Sequence, residues 1–115
     1  MLVVISPAKK LDWAEHKFKT TKPEMQDDAV RLVKTARDLT KSKLKTLMGL
    51  SDNLASLTRE RFQAFEEAPK AEITRPAMLA FAGDTYQGLD AVSFSSSEVT
   101  YAQDHLRILS GLYGL

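Results

Sequence analysis

The sequence predicts a mixed α/β chain of the α+β kind, and three observations carry that reading. Leu2 to Ile5 is a short, largely β-branched run closed by Ser6-Pro7. Met25 to Phe65 holds successive apolar stripes at helical spacing, broken by turn and cap residues. Ala77 to Ala82 is a second apolar run, closed by Gly83-Asp84. Strand-like runs separated by helical blocks point to helices packed on a sheet, not to an all-helical bundle.

Leu2 to Ile5 reads as a buried strand, with apolar residues on both faces as in a central position. Lys9 to Lys22 contains five lysines and little periodicity, and reads as a long loop. Pro23 sets a helix start, with Glu24, Asp27 and Asp28 favourable in the first turns. Met25, Ala29, Leu32, Val33, Ala36 and Leu39 form its apolar stripe. Thr40 or Ser42 can cap a second, short helix with Leu44, Leu47 and Met48 inward, ended by Gly49. Ser51 or Asp52 caps a third, with Leu54, Ala55, Thr58, Phe62 and Phe65 on one side. Pro69 to Pro76 is a connector, Ala77 to Ala82 a second strand, and Thr85 to Asp90 a short helix or loop. Ser95 and Glu98 have capping-box spacing. The helix they open turns Val99, Ala102, Leu106 and Leu109 inward, and Gly111, in a left-handed conformation, ends or bends it. The closing Gly111-Leu112-Tyr113-Gly114-Leu115 has no polar tail, which suggests a chain cut within an element.

Composition narrows the function classes. The chain has 115 residues, 43% of them apolar, enough for a core without disulfides. It has no cysteine, which removes thiolate zinc sites and a cysteine nucleophile. His16 and His105 stand apart with no His-x-x-His context, and the carboxylates are scattered, so neither a metal site nor a cofactor is expected. The formal charge is +1, so a nucleic-acid surface has to be a local patch. Met1 to Ser6 is too short for a signal peptide or a membrane span, and a cytoplasmic protein without membrane contact is expected.

Leu44 to Thr58 holds the pattern closest to a chemical function. Leu44, Leu47, Gly49, Leu50 and Ala55 fall in register with a helix-hairpin-helix DNA-binding element, and Ser51 stands where its second glycine would be. A tight turn between two helices exposes backbone N–H groups at the start of the second helix. With the helix dipole, these can hold a phosphate oxygen of double-stranded or structured DNA. Lys43, Lys45, Arg59 and Arg61 would add attraction that does not depend on sequence. The same residues also describe an ordinary helix–turn–helix packing unit capped by Ser51. Leu109 to Gly114 offers a weaker hairpin pattern, better read as a helix C-terminus.

A second constellation lies at the predicted strand ends. Lys9 follows the first strand, and Asp84 and Tyr86 follow the second, where an α/β sheet often opens a ligand crevice. Lys9 could meet a phosphate, and Tyr86 could stack on a base or fill the core. Equally, Lys9 is a solvated loop lysine, paired with Asp12, and Asp84 a turn cap. The glycines and the Lys-Ser/Thr pair of a P-loop are missing. Trp13 in the basic loop can stack on a base or pack the loop down. No Ser-His-Asp set is assembled by spacing.

At these residues the chain resembles the YaaA family of bacterial peroxide-stress proteins. The matching segments are Leu2 to Asp12, Leu47 to Ala55, Arg61-Phe62, Leu79 to Leu89 and Ala102 to Leu115, in order along the whole chain. Members of that family run to roughly twice this length. The resemblance therefore implies the N-terminal part of a larger single-domain fold. It further implies a cytoplasmic protein that limits iron-driven damage to DNA under hydrogen peroxide, and that binds DNA through a helix-hairpin-helix element. The resemblance does not establish an enzymatic reaction. The alternative is an enzyme acting on a nucleotide or nucleic acid, with a pocket near Lys9 and Asp84.

Overall fold

The structure, a computed structural model, describes residues 1–115. In chain order it contains β1 (Val3–Ile5), β2 (Lys10–Leu11), α1 (Gln26–Arg37), α2 (Lys41–Met48), α3 (Asp52–Ala64), α4 (Ala77–Ala80), β3 (Phe81–Ala82), α5 (Asp84–Leu89), α6 (Ser96–His105) and β4 (Leu106–Ile108). Two 3₁₀ turns, Ala71–Ile73 and Ala91–Ser93, lie between them. The chain is mixed α/β, as the sequence predicts. It divides into two compact units, one of residues 1–24 with 70–115 and one of residues 25–69.

The unit of residues 25–69 is helical. Its core is Ala29 and Val33 of α1, Leu44 of α2 and Ala55 of α3. The small alanines let the helix axes approach, and Val33 and Leu44 fill the space between. α1 begins later than Pro23 suggests: Met25 is its N-cap and makes no side-chain cap bond. Side chains of α3 close the C-terminal end of α1. Arg59 donates to the Leu39 carbonyl at 2.7 Å and Gln63 to the Arg37 carbonyl at 3.1 Å. In return Arg37 of α1 donates to the Phe62 carbonyl at 2.8 Å and to the Phe65 carbonyl. These bonds satisfy carbonyls that a helix end leaves without partners. Of the inward stripe expected on α2, only Leu44 is buried; Leu47 is 73% exposed and Met48 half exposed.

The other unit contains two two-stranded sheets, β1–β4 and β2–β3. β1 and β4 are parallel, with Val3 opposite Leu106 and Ile5 opposite Ile108. The ladder continues through the Leu109 N–H, which donates to the Ile5 carbonyl at 2.9 Å. β2 and β3 are antiparallel, with Lys10 opposite Ala82 and Leu11 opposite Phe81. The core is Leu79, Ala80, Tyr86 and Ala91. Ser95 and Glu98 form the expected capping box: the Ser95 N–H donates to Glu98 Oε2 at 2.6 Å and the Glu98 N–H to Ser95 Oγ at 3.3 Å.

Five sequence expectations in this unit change. The loop from Lys9 to Lys22 contains β2, recruited by pairing with β3 and locked by the Asp12 N–H donating to the Ala80 carbonyl at 2.7 Å. Ala77–Ala80 is a helical turn, since Ala, Met and Leu are strong helix formers after a proline, and only Phe81–Ala82 is strand. Leu106 does not continue α6. It opens β4, where pairing with β1 overrides the helical spacing from Val99. Gly111 has no positive φ; the left-handed glycine is Gly114, at φ 74°, in a turn closed by bonds between Ser110 and Gly114 of 2.7 and 3.0 Å. Nor is β1 central: β4 is its one neighbour, and Leu2, Val3 and Val4 are exposed.

Candidate nucleic-acid interface

α2 and α3 form a helical hairpin joined by Gly49, Leu50 and Ser51. Gly49 caps α2 at φ 63° and ψ 40°, a left-handed conformation that favours glycine. The Leu50 N–H donates back to the Lys45 carbonyl at 3.0 Å, which closes the turn. Ser51 is extended, at φ −67° and ψ 164°, and its hydroxyl accepts the Leu54 N–H at 3.3 Å. This position requires no glycine. A serine there keeps the hairpin and caps α3. Gly49 and Ser51 are exposed and Leu50 is half-buried, so the turn lies at the surface.

The cations divide differently from the sequence expectation. Lys43 and Lys45 are two residues apart on α2 and so point about 200° away from each other. Lys41 and Lys45, four apart, share a face. Lys45 Nζ lies 2.8 Å from Asp52 Oδ1 at the first turn of α3. The Asp52 carboxyl is held below the usual carboxylate range by that hydrogen bond, by the charge of Lys45 and by the charge of Lys41. Lys41 and Arg59 also line one open groove of about 590 Å³ with Ser56, Glu60, Gln63 and Ala64. Lys41, Lys45 and Arg59 are therefore one set, and Lys43 stands outside it. Sequence reasoning passed over Lys41, although its four-residue spacing from Lys45 is the signal that finds it. Two features restrain the set as an anion site: Asp52 places a carboxylate at the N-terminus of α3, and Arg59 commits one donor to Leu39.

The second constellation is only partly assembled. Lys9 and Asp84 lie on neighbouring backbone, since Lys10 pairs with Ala82 and a Cβ added at Gly83 would meet Ala8 Cβ at 3.5 Å. Both side chains are exposed. Tyr86 is buried, and its hydroxyl donates to the Ser6 carbonyl at 2.5 Å while its ring lies 5.5 Å from that of Phe81. Burial pushes its phenol pKa up. Tyr86 is thus an anchor for the Ser6-Pro7 turn and is not free to stack on a base. Asp12 pairs with no lysine; its carboxylate accepts the Ala14 N–H at 3.0 Å. Trp13 packs under the Arg75 guanidinium, 5.4 Å from the ring centre, and its carbonyl accepts from Arg75 at 3.2 Å.

Sequence reading also missed a concavity of about 580 Å³ whose lining includes Glu15, His16, Lys19, Glu72 and Arg75. His16 Nε2 is buried there without a hydrogen-bond partner. No spacing signal joins these residues, which come from two distant segments. Neither this concavity nor the groove along α3 includes Lys9, Asp84 or Tyr86. No group of three or more histidine, aspartate or glutamate side chains is placed to share a metal ion.

The sequence profile of the family described as peroxide stress protein YaaA matches residues 1–115. The chain belongs to the YaaA family. An oxidative-stress role is what that family description supports. Among relatives, a UPF0246 protein of Ruegeria pomeroyi is 69% identical over 115 residues, covering all of this chain and 45% of the relative. One of Roseobacter denitrificans is 68% identical, with 44% of the relative covered. A UPF0246 protein of Saccharophagus degradans is 48% identical over 116 residues, with 45% of the relative covered. The chain thus spans less than half the length of these curated relatives. No helix is long and apolar enough to cross a membrane.

Proposed function

We propose that this chain supplies the DNA-contacting hairpin of a peroxide-stress protein that limits iron-driven damage to DNA. The observation that carries the reading is the α2–α3 turn, with left-handed Gly49 and extended Ser51, both exposed. Backbone N–H groups at the start of α3 would meet a phosphate oxygen, with Lys41, Lys45 and Arg59 contributing attraction from one side. Such contacts read no sequence, so affinity would fall steeply with salt. Protection would follow from occupancy: a protein seated on the phosphates competes with iron for the same anionic surface.

The test is fluorescence anisotropy of labelled duplex DNA against this chain and the intact Ruegeria pomeroyi relative, across a salt series. Reversing Lys41 and Lys45 to glutamate together should weaken binding at least tenfold and lower the salt slope by about 2. Lys43→Glu should do less. Unchanged affinity in the double variant would remove the site. A nucleotide-directed enzyme is the second reading, favoured by the adjacency of the Lys9 and Asp84 backbones. Its signature would be nucleotide binding lost in Lys9→Ala, with DNA affinity unaltered by the hairpin variants.

A further inference from the structure

β1 is the least completed element of the chain. Leu2, Val3, Val4 and Ile5 are apolar on both strand faces, the composition of a strand covered on both sides. Yet Leu2, Val3 and Val4 are 53%, 43% and 48% exposed, and one edge of β1 has no neighbour. An exposed apolar edge is a template for another strand, and a two-stranded sheet alone is marginal in water. The parallel pairing with β4 sharpens the point, because parallel strands occur almost only where both faces are covered. β4 differs. It carries Arg107, tied to Glu24 at 3.4 Å, and its residues are half-buried. The unmet demand lies on β1.

The relatives contain what could meet it. This chain covers 44–45% of the Ruegeria and Roseobacter proteins, so more than half of each lies outside the matched region. We infer that the open edge of β1 is a docking site for a β-strand from that remaining polypeptide, with Leu2 and Val4 covered by its apolar residues. Backbone pairing would supply affinity and register, and the alternate side chains Leu2 and Val4 would fill apolar positions of the incoming segment. A second copy of this chain is the competing occupant.

The experiment co-expresses this chain, affinity-tagged, with the remaining segment of the Ruegeria pomeroyi relative as a separate untagged polypeptide. The expected result is a one-to-one complex in which the Val3 to Ile5 amides exchange hydrogen about 100-fold more slowly than in this chain alone. Val4→Lys and Leu2→Lys should each reduce capture at least tenfold, whereas Val92→Lys, at a site 67% exposed on another element, should not. Leu2 lies outside the ladder, so its variant keeps the test valid if Val4→Lys unfolds the strand. In the intact relative, the amides aligned with Val3 to Ile5 should be equally protected. The inference is overturned by fast exchange there, by absent capture or by capture indifferent to both lysines. A homodimer of this chain that Val4→Lys dissociates would overturn it in favour of a second copy.

Discussion

Asp52→Asn should strengthen DNA binding, although it removes an ion pair. At 2.8 Å from Lys45 Nζ, the Asp52 carboxylate neutralises the nearest cation and places a negative charge at the helix end proposed to receive phosphate. A phosphate bound there would lie about 5 Å from the carboxylate. Two unit charges at that separation in water change an equilibrium by a factor of about four. Removing the repulsion and releasing Lys45 each contribute on that scale, and screening over a Debye length of about 8–10 Å trims both. The expected gain is about 3- to 10-fold in Kd at 0.1 M salt, with a salt slope steeper by about 0.9 from one more released counterion. Anisotropy titrations of duplex DNA at four salt concentrations measure both quantities. Lys45→Ala in the Asp52→Asn background should cancel the steeper slope. Unchanged or weaker binding by Asp52→Asn would refute the placement of phosphate at the start of α3.

Gly49→Ala should destabilise the helical unit by about 1–2 kcal/mol, because φ 63° is strained for any residue with a Cβ, although no atom lies within 4 Å of the added methyl. Gly88→Ala, in α5 with ordinary backbone and equally open space, should stabilise by about 0.5–1 kcal/mol; urea melts followed by helical circular dichroism for the first and Trp13 fluorescence for the second check the opposite signs. Tyr86→Phe leaves the Ser6 carbonyl without its donor and should cost about 1–3 kcal/mol in the same Trp13-monitored melt. The raised Tyr86 pKa adds a pH dependence: its stabilisation is complete below the unfolded value of 10.0 and is lost as pH rises through the higher folded value, so Tyr86→Phe should flatten the alkaline limb of the stability profile. Ser95→Ala removes the acceptor for the Glu98 N–H and should cost about 1 kcal/mol, read by thermal denaturation.

Helix caps and the α2–α3 turn were legible because their signals are local. Gly49, Ser51 and the Ser95–Glu98 pair each act within a few residues of themselves, and each sits where its chemistry places it. The sheet half was not, because its strands exist by pairing with distant sequence. Lys10-Leu11 has no strand signature and is extended because Phe81-Ala82 lies beside it. Leu106 has the spacing of a fourth helical turn and becomes strand because β1 offers a ladder. In the candidate interface, the turn was readable from glycine and serine. The grouping of its cations needed the helix face, which pairs Lys41 with Lys45 and turns Lys43 away. Tyr86 is the reverse case: the sequence leaves stacking on a base and filling the core both open, and its burial with the Ser6 carbonyl against its hydroxyl decides for the core.

The β1–β4 ladder also sets an order of events at synthesis. Val3 finds its partner in Leu106, near the other end of the chain, whereas residues 25–69 are contiguous and can pack as soon as α3 has emerged. At about 5–20 residues per second, β1 then waits roughly 5–20 s after leaving the ribosome before β4 is made. Throughout that interval Leu2 to Ile5 is an unpaired apolar strand on a nascent chain. Between β1 and β4 the strand made first is secured only when the second arrives, so Leu2 to Ile5 is where a holding chaperone would bind and where crowding of polysomes would be felt.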